Sequence, residues 1–137
     1  MDSPRLVLRL LPRKNVEREQ LDPAISGFSM LPGDGGFGNV ANALAHRVEE
    51  LARGDEGRQG VILGYLMAHE VGHLLLGADN HSATLGLMRN SWGREELARA
   101  GLGVLNFAPW EARQIRTRLR EGAFTELAKT DKKSGRF

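Results

Sequence analysis

One segment constrains the fold more than any other: residues 61–76 are apolar around nearly the whole circumference of a helix. Within it, His69, Glu70 and His73 are the only side chains that ionise near neutral pH. Gly77 follows at the position of a C-terminal cap, where glycine readily adopts the left-handed conformation. The sequence therefore predicts a buried helix over residues 61–76, and the rest of the chain must pack around it.

The hydrophobic patterns on either side predict an α+β fold. Before the buried helix they indicate two strands and a helix, with residues 39–43 fitting either a short edge strand or a helix start. After it they indicate a polar loop and two helices, the last with Ile115 and Leu119 on its inner face. The predicted elements are strands at 5–11 and 25–31, helices at 44–53, 94–100 and 109–122, and a loop at 78–92.

Length and composition indicate one domain. The 137 residues include no cysteine, which excludes disulfides, a thiol nucleophile and cysteine-ligated zinc. Residues 111–137 carry eight basic and four acidic side chains, and we expect Arg113, Arg116 and Arg120 to form a solvated helix face rather than a nucleic-acid site. We predict a single domain over residues 1–128 and a disordered basic tail over residues 129–137.

The spacing of the ionisable residues predicts metal-assisted hydrolysis. His69 and His73 are four residues apart, so on a helix both imidazoles project from one face, where they can bind one zinc ion. Glu70 lies about 100° further round, which places its carboxylate beside a metal-bound water. Zinc lowers the pKa of such a water towards about 7 and polarises a carbonyl, while the carboxylate takes the proton. Glu70 is therefore the predicted general base.

A catalytic zinc site usually has three protein ligands, so a third is needed. His81 is the first candidate, because Gly77 can end the helix and let the chain turn back towards the metal. Asp79 is the second, since carboxylate oxygens also bind zinc. Glu95 and Glu96, on the next predicted helix, come third and also fit the ordinary role of acidic residues in a first helical turn.

The stretch His69-Glu70-Val71-Gly72-His73-Leu74-Leu75-Leu76-Gly77-Ala78-Asp79-Asn80-His81, followed by Gly86-Leu87-Met88, resembles the metzincin metalloproteases. Their pattern is H-E-x-x-H-x-x-G-x-x-H and then a methionine turn. Here the glycine comes one residue later and the last histidine two residues later, so Asp79 occupies the usual position of the third ligand.

The resemblance implies a zincin or metzincin-like fold, in which a small twisted sheet packs on the buried active-site helix and a small helical part follows. It implies one catalytic zinc ion, with His69, His73 and His81 as ligands and Met88 as a hydrophobic floor under the metal. It also implies that residues 37–41 form an edge strand that pairs with an extended peptide substrate.

These features together predict a monomeric zinc metalloendopeptidase that acts on peptides or proteins and needs neither nucleic acid nor membrane. The alternative is a catalytically inactive zinc-binding relative that acts as a binding or structural module. As written the chain predicts a cytoplasmic protein, or an extracellular one if a secretion signal precedes it. A glycine-rich G-x-G-x-x-G match at residues 33–38 lacks the following strand of a dinucleotide site, and His46 has no partner at metal spacing.

Overall fold

The computed structural model describes residues 6–21, 25–31, 38–77 and 86–134, the last twelve of these only as helical backbone. Strands and helices mix along the chain, so the fold is α+β, as the sequence predicts. The elements are β1 (Val7–Leu11), α1 (Arg13–Arg18), β2 (Gly27–Met30), β3 (Val40–Leu44), α2 (Ala45–Ala52), α3 (Glu56–Leu76), α4 (Arg94–Gly101) and α5 (Pro109–Ser134).

The three strands form one mixed sheet in the order β1-β3-β2. β3 runs parallel to β1 and antiparallel to β2. The prediction of an edge strand over residues 37–41 is therefore wrong, because β3 is the central strand and both of its edges are paired. Asn42 on this central strand is fully buried, and its side-chain amide accepts from Arg9 Nε at 2.7 Å and donates to the Phe28 carbonyl at 3.2 Å. The antiparallel edge strand is β2.

The longest helix with described side chains, α3, packs on β2 and β3 because the facing residues are small. Ala41 and Ala43 are each 1 % exposed. A Cβ on Gly27 would lie 3.0 Å from Glu70 Cγ and 2.3 Å from the Asn42 carbonyl oxygen, so only glycine fits between strand and helix there. The close approach brings the sheet directly onto the part of α3 that carries Glu70.

Both ends of α3 are capped by residues suited to the task. The Asp55 side chain accepts from the Gly57 N–H at 3.0 Å, and Gly77 adopts φ +66° while its N–H donates to the His73 carbonyl at 2.9 Å. The predicted end at Gly77 is confirmed, whereas the helix starts five residues earlier than the apolar pattern indicates. In the described part of the chain, no helix combines the length and apolar character that crossing a membrane would require.

Three local predictions differ from the structure. α1 lies in a stretch whose polar composition predicts no element, and Val16 anchors it by packing with Leu11 and Leu44. α5 continues through Gly122, because one glycine costs a helix only about 1 kcal/mol. The helix thus includes residues 129–134, which the sequence predicts to be part of a disordered tail. The domain boundary at residue 128 stays a prediction. Leu119 is 47 % exposed, so of the two predicted inner residues only Ile115 is buried.

Candidate functional site

The two histidines of α3 present their Nε2 atoms to each other at 3.2 Å. Both side chains are buried, His69 at 7 % and His73 at 3 % exposure. A zinc ion bound by two imidazole nitrogens at tetrahedral angles holds those nitrogens roughly 3.3 Å apart. The ligand atoms of His69, Glu70 and His73 all lie within 4.8 Å of one another. The donor set and its spacing therefore fit one zinc ion.

A backbone carbonyl fixes the orientation of the first histidine. His69 Nδ1 lies 2.6 Å from the Leu87 carbonyl oxygen, which can only accept, so Nδ1 carries the hydrogen and Nε2 keeps its lone pair. Trp92 Nε1 donates to the same oxygen at 3.2 Å, and the Trp92 ring stands edge-on to His69. Such an outer partner is what metal-binding histidines normally have. The segment that contains Leu87 and Trp92 thus prepares His69 to bind a metal through Nε2.

Met88, the predicted floor under the metal, is fully buried. It packs against α3 at Gly72, which lies between His69 and His73 in the sequence. A Cβ on Gly72 would lie 2.5 Å from Met88 Sδ and 2.8 Å from Phe107 Cε1. Met88 also packs with Leu76 and Ile115. Glycine at position 72 lets this side chain reach the backbone of the site helix; the role of Met88 towards a metal stays a prediction.

We expect Gly72→Ala to destabilise the protein by about 1–3 kcal/mol. The added methyl group would overlap Met88, and this side chain is fully buried, so it cannot move aside into solvent. Gly64→Ala is the matched control on the same helix, since nothing lies within 4 Å of its Cβ position. That control should stabilise by up to about 1 kcal/mol through helix propensity. Urea unfolding of both variants in the same metal state measures the difference, and equal stabilisation would refute the tight contact.

The carboxylate of Glu70 is held by the edge strand. Ser29 Oγ lies 2.7 Å from Glu70 Oε2 and 2.7 Å from the Glu70 carbonyl oxygen. A hydroxyl carries one hydrogen, so Ser29 donates to one of these oxygens at a time. Gly27 and Ser29 lie on the same face of β2, and Glu70 is only 6 % exposed. β2 therefore sets the direction in which this buried carboxylate points.

The third-choice ligands lie elsewhere. Glu96, 1 % exposed, forms an ion pair with Arg89 at 2.7 Å and accepts from the Gly93 N–H at 2.9 Å. Burial alone would raise the pKa of Glu96, but the hydrogen bonds from Arg89 and from backbone N–H groups outweigh it, so its pKa lies below the usual value. Glu95 forms a surface ion pair with Arg99 at 3.1 Å. Neither carboxylate belongs to the group formed by His69, Glu70 and His73, and Glu96 has the ordinary role of an acidic residue in a first helical turn, because it caps α4.

The two preferred third ligands, His81 and Asp79, lie outside the described residues. They therefore stay predictions. His46 is buried on α2, in keeping with a packing role.

A cavity of about 370 Å³ opens beside His69 and Glu70. Its walls come from the start of β2, from α2 and α3, and from residues 89–92. Arg47 and Arg89 line it, and the sequence singled out neither. Sequence reasoning also missed Ser29 and the Leu87 carbonyl. For Ser29 a signal existed, since a strand face that presents only glycine and serine leaves room for a polar group from a helix.

Comparison of the chain with protein-family models, with curated proteins and with solved structures found no match, so the geometry of the site itself carries the argument for function.

Proposed function

We propose that this chain is a zinc-dependent peptidase in which His69 and His73 hold one zinc ion and Glu70 is the general base. The observation that carries the proposal is the 3.2 Å approach of the two Nε2 atoms beside a buried carboxylate. The third ligand comes from the segment after Gly77, with His81 preferred and Asp79 second.

The environment of each group supports hydrolysis. A zinc ion held by His69 and His73 would supply a water of lowered pKa and would polarise the carbonyl of the scissile peptide bond. Glu70 would take the proton from that water and return it to the leaving amine. Ser29 directs the carboxylate, and the Leu87 carbonyl holds His69 with its Nε2 lone pair towards the site. These residues keep the reacting groups in fixed positions, which is where much of the rate enhancement arises.

The fold that we propose is zincin-like, with the metzincins as the nearest type. Two features support this: the small sheet packs with its antiparallel edge strand over the helix that carries both histidines, and a buried methionine lies beneath that helix. The alternative, an inactive zinc-binding module, would have no use for a carboxylate beside an open coordination position, because structural zinc sites are closed by four protein ligands.

The proposal is tested by the zinc content of purified protein for the wild type, His81→Ala and Asp79→Ala, with cleavage of an unfolded protein assayed in parallel. We expect one zinc ion in the wild type, loss of zinc and of cleavage in His81→Ala, and retention of both in Asp79→Ala. Loss in Asp79→Ala alone would move the third ligand to that residue. Zinc binding without cleavage would favour the inactive module, and absence of zinc binding would refute the proposal.

A further inference from the structure

The cavity beside Glu70 carries an excess of positive side chains. The described lining has two arginines, Arg47 and Arg89, and one carboxyl residue, Glu70. The remaining walls include Leu51, Leu66 and Trp92, which offer apolar surface. A ligand that enters this space thus meets two guanidinium groups and an apolar wall within the same cavity as the proposed catalytic residues.

Arg47 has only part of its hydrogen-bonding capacity used within the described residues. Its Nη1 forms an ion pair with Glu50, whose side chain is 49 % exposed. Its Nε is buried and has no hydrogen-bond partner within the described residues. A guanidinium presents five N–H donors in a planar fork, and a buried donor without an acceptor is costly. The Arg47 side chain is 26 % exposed and lines the cavity, so its terminal N–H groups are the donors available to a ligand there.

Arg89 is held in place from behind. Its Nη1 donates to Glu96 at 2.7 Å, and Glu96 is itself fixed by the Gly93 N–H. The Arg89 side chain is nevertheless 42 % exposed. One edge of this guanidinium is therefore anchored to a buried carboxylate, while the side chain also lines the cavity, an arrangement that lowers the entropy lost when it binds a ligand.

We propose that this cavity binds a carboxylate of the peptide substrate close to the scissile bond, with Arg47 as its main contact and Arg89 as the second. Guanidinium groups match carboxylates through paired, charge-assisted hydrogen bonds. The carboxylate comes either from an aspartate or glutamate side chain or from the free C-terminus of the peptide, and the chemistry of recognition is the same. This inference rests on the proposed peptidase function.

The direct test measures peptide binding by calorimetry to zinc-loaded Glu70→Gln protein, in which the peptide remains intact. The probes are the capped peptide acetyl-Ala-Ala-Glu-Ala-Ala-amide, its Gln counterpart, and the Gln peptide with a free C-terminus. We expect one of the two carboxylate peptides to bind about tenfold more tightly than the capped Gln peptide. Which of them does so identifies the source of the carboxylate.

Arg47→Gln, added to the same protein, should remove that preference, and Arg47→Lys should restore part of it. Arg99→Gln is the matched control, because it also removes one positive charge and one surface ion pair but lies outside the cavity lining. That control should keep the preference. Equal binding of all three peptides, or a preference that survives Arg47→Gln, would overturn the inference.

Cleavage by the otherwise wild-type protein separates this inference from the proposed function. A peptide mixture digested by the wild type should be cut next to acidic residues or near free C-termini, and Arg47→Gln should spread the cleavage sites. An Arg47-dependent binding preference in a protein that cuts nothing would sustain the carboxylate site and refute the peptidase. Cleavage with no preference for carboxylates would sustain the peptidase and refute the carboxylate site.

Discussion

Glu70→Gln should lower kcat for peptide cleavage by about 10²–10⁴-fold while the protein still binds one zinc ion. The substitution keeps the size of the side chain and an oxygen that can accept from Ser29, but the amide cannot take a proton from water. Zinc content is measured by elemental analysis and cleavage by the release of peptides from an unfolded protein. The loss should appear in kcat, because a proton acceptor acts in the transition state rather than in substrate binding.

The matched control for this variant is Glu95→Gln, which removes one carboxylate from an exposed position on α4. Its cleavage rate should equal that of the wild type. If Glu70→Gln retained full activity, the carboxylate of Glu70 would not be the general base and the proposed mechanism would be wrong. If the variant lost its zinc as well, Glu70 would be a ligand of the metal rather than a neighbour of its water.

Removal of zinc should abolish cleavage and lower the thermal stability. A ligand that binds only the folded state, at about 1,000 times its dissociation constant, stabilises by about 4 kcal/mol. For a domain of this size that corresponds to a fall in Tm of roughly 10–20 °C after chelation. Calorimetric scans with and without a chelator measure the shift, and adding zinc back should restore both Tm and cleavage.

Alanine variants of two buried histidines, His73 and His46, distinguish metal binding from packing in this experiment. His73→Ala removes a ligand, so its Tm should no longer respond to zinc or to the chelator. His46→Ala removes a buried histidine of α2 and should retain the full response, whatever its baseline stability. A wild-type Tm and cleavage rate that ignored the chelator would show that the histidine pair serves packing alone.

The central part of the site could be read from the sequence because it depends on local geometry. Four-residue spacing on one helix brings His69 and His73 together whatever surrounds them, and Gly77 ends that helix by its own conformational preference. The burial of the C-terminal half of the helix follows from its apolar composition, whereas Val61, at the start of the apolar run, is 43 % exposed. These features need only helix periodicity and the tendency of apolar surface to leave water.

The remaining parts depend on contacts between distant segments. Ser29 meets Glu70 across 41 residues and the Leu87 carbonyl meets His69 across 18 residues, and no local pattern encodes either pairing. The metzincin resemblance implies an edge strand over 37–41, whereas β3 is the central strand because β1, from the start of the described chain, pairs with its second edge. Glu95 and Glu96 were weighed as ligands on spacing alone, although the buried Glu96 is already neutralised by Arg89.

The partner that orients His69 is a main-chain oxygen, which has a consequence for how this site tolerates genetic change. No amino-acid substitution at position 87 can delete the acceptor, since every residue has a backbone carbonyl. The hydrogen bond therefore depends on the neighbours that hold the turn in place, Met88 against the helix and Trp92 on the same oxygen. The Leu87 side chain, 3 % exposed and packed with Ala100 and Leu105, contributes to the core, whereas its main chain contributes the acceptor for the histidine.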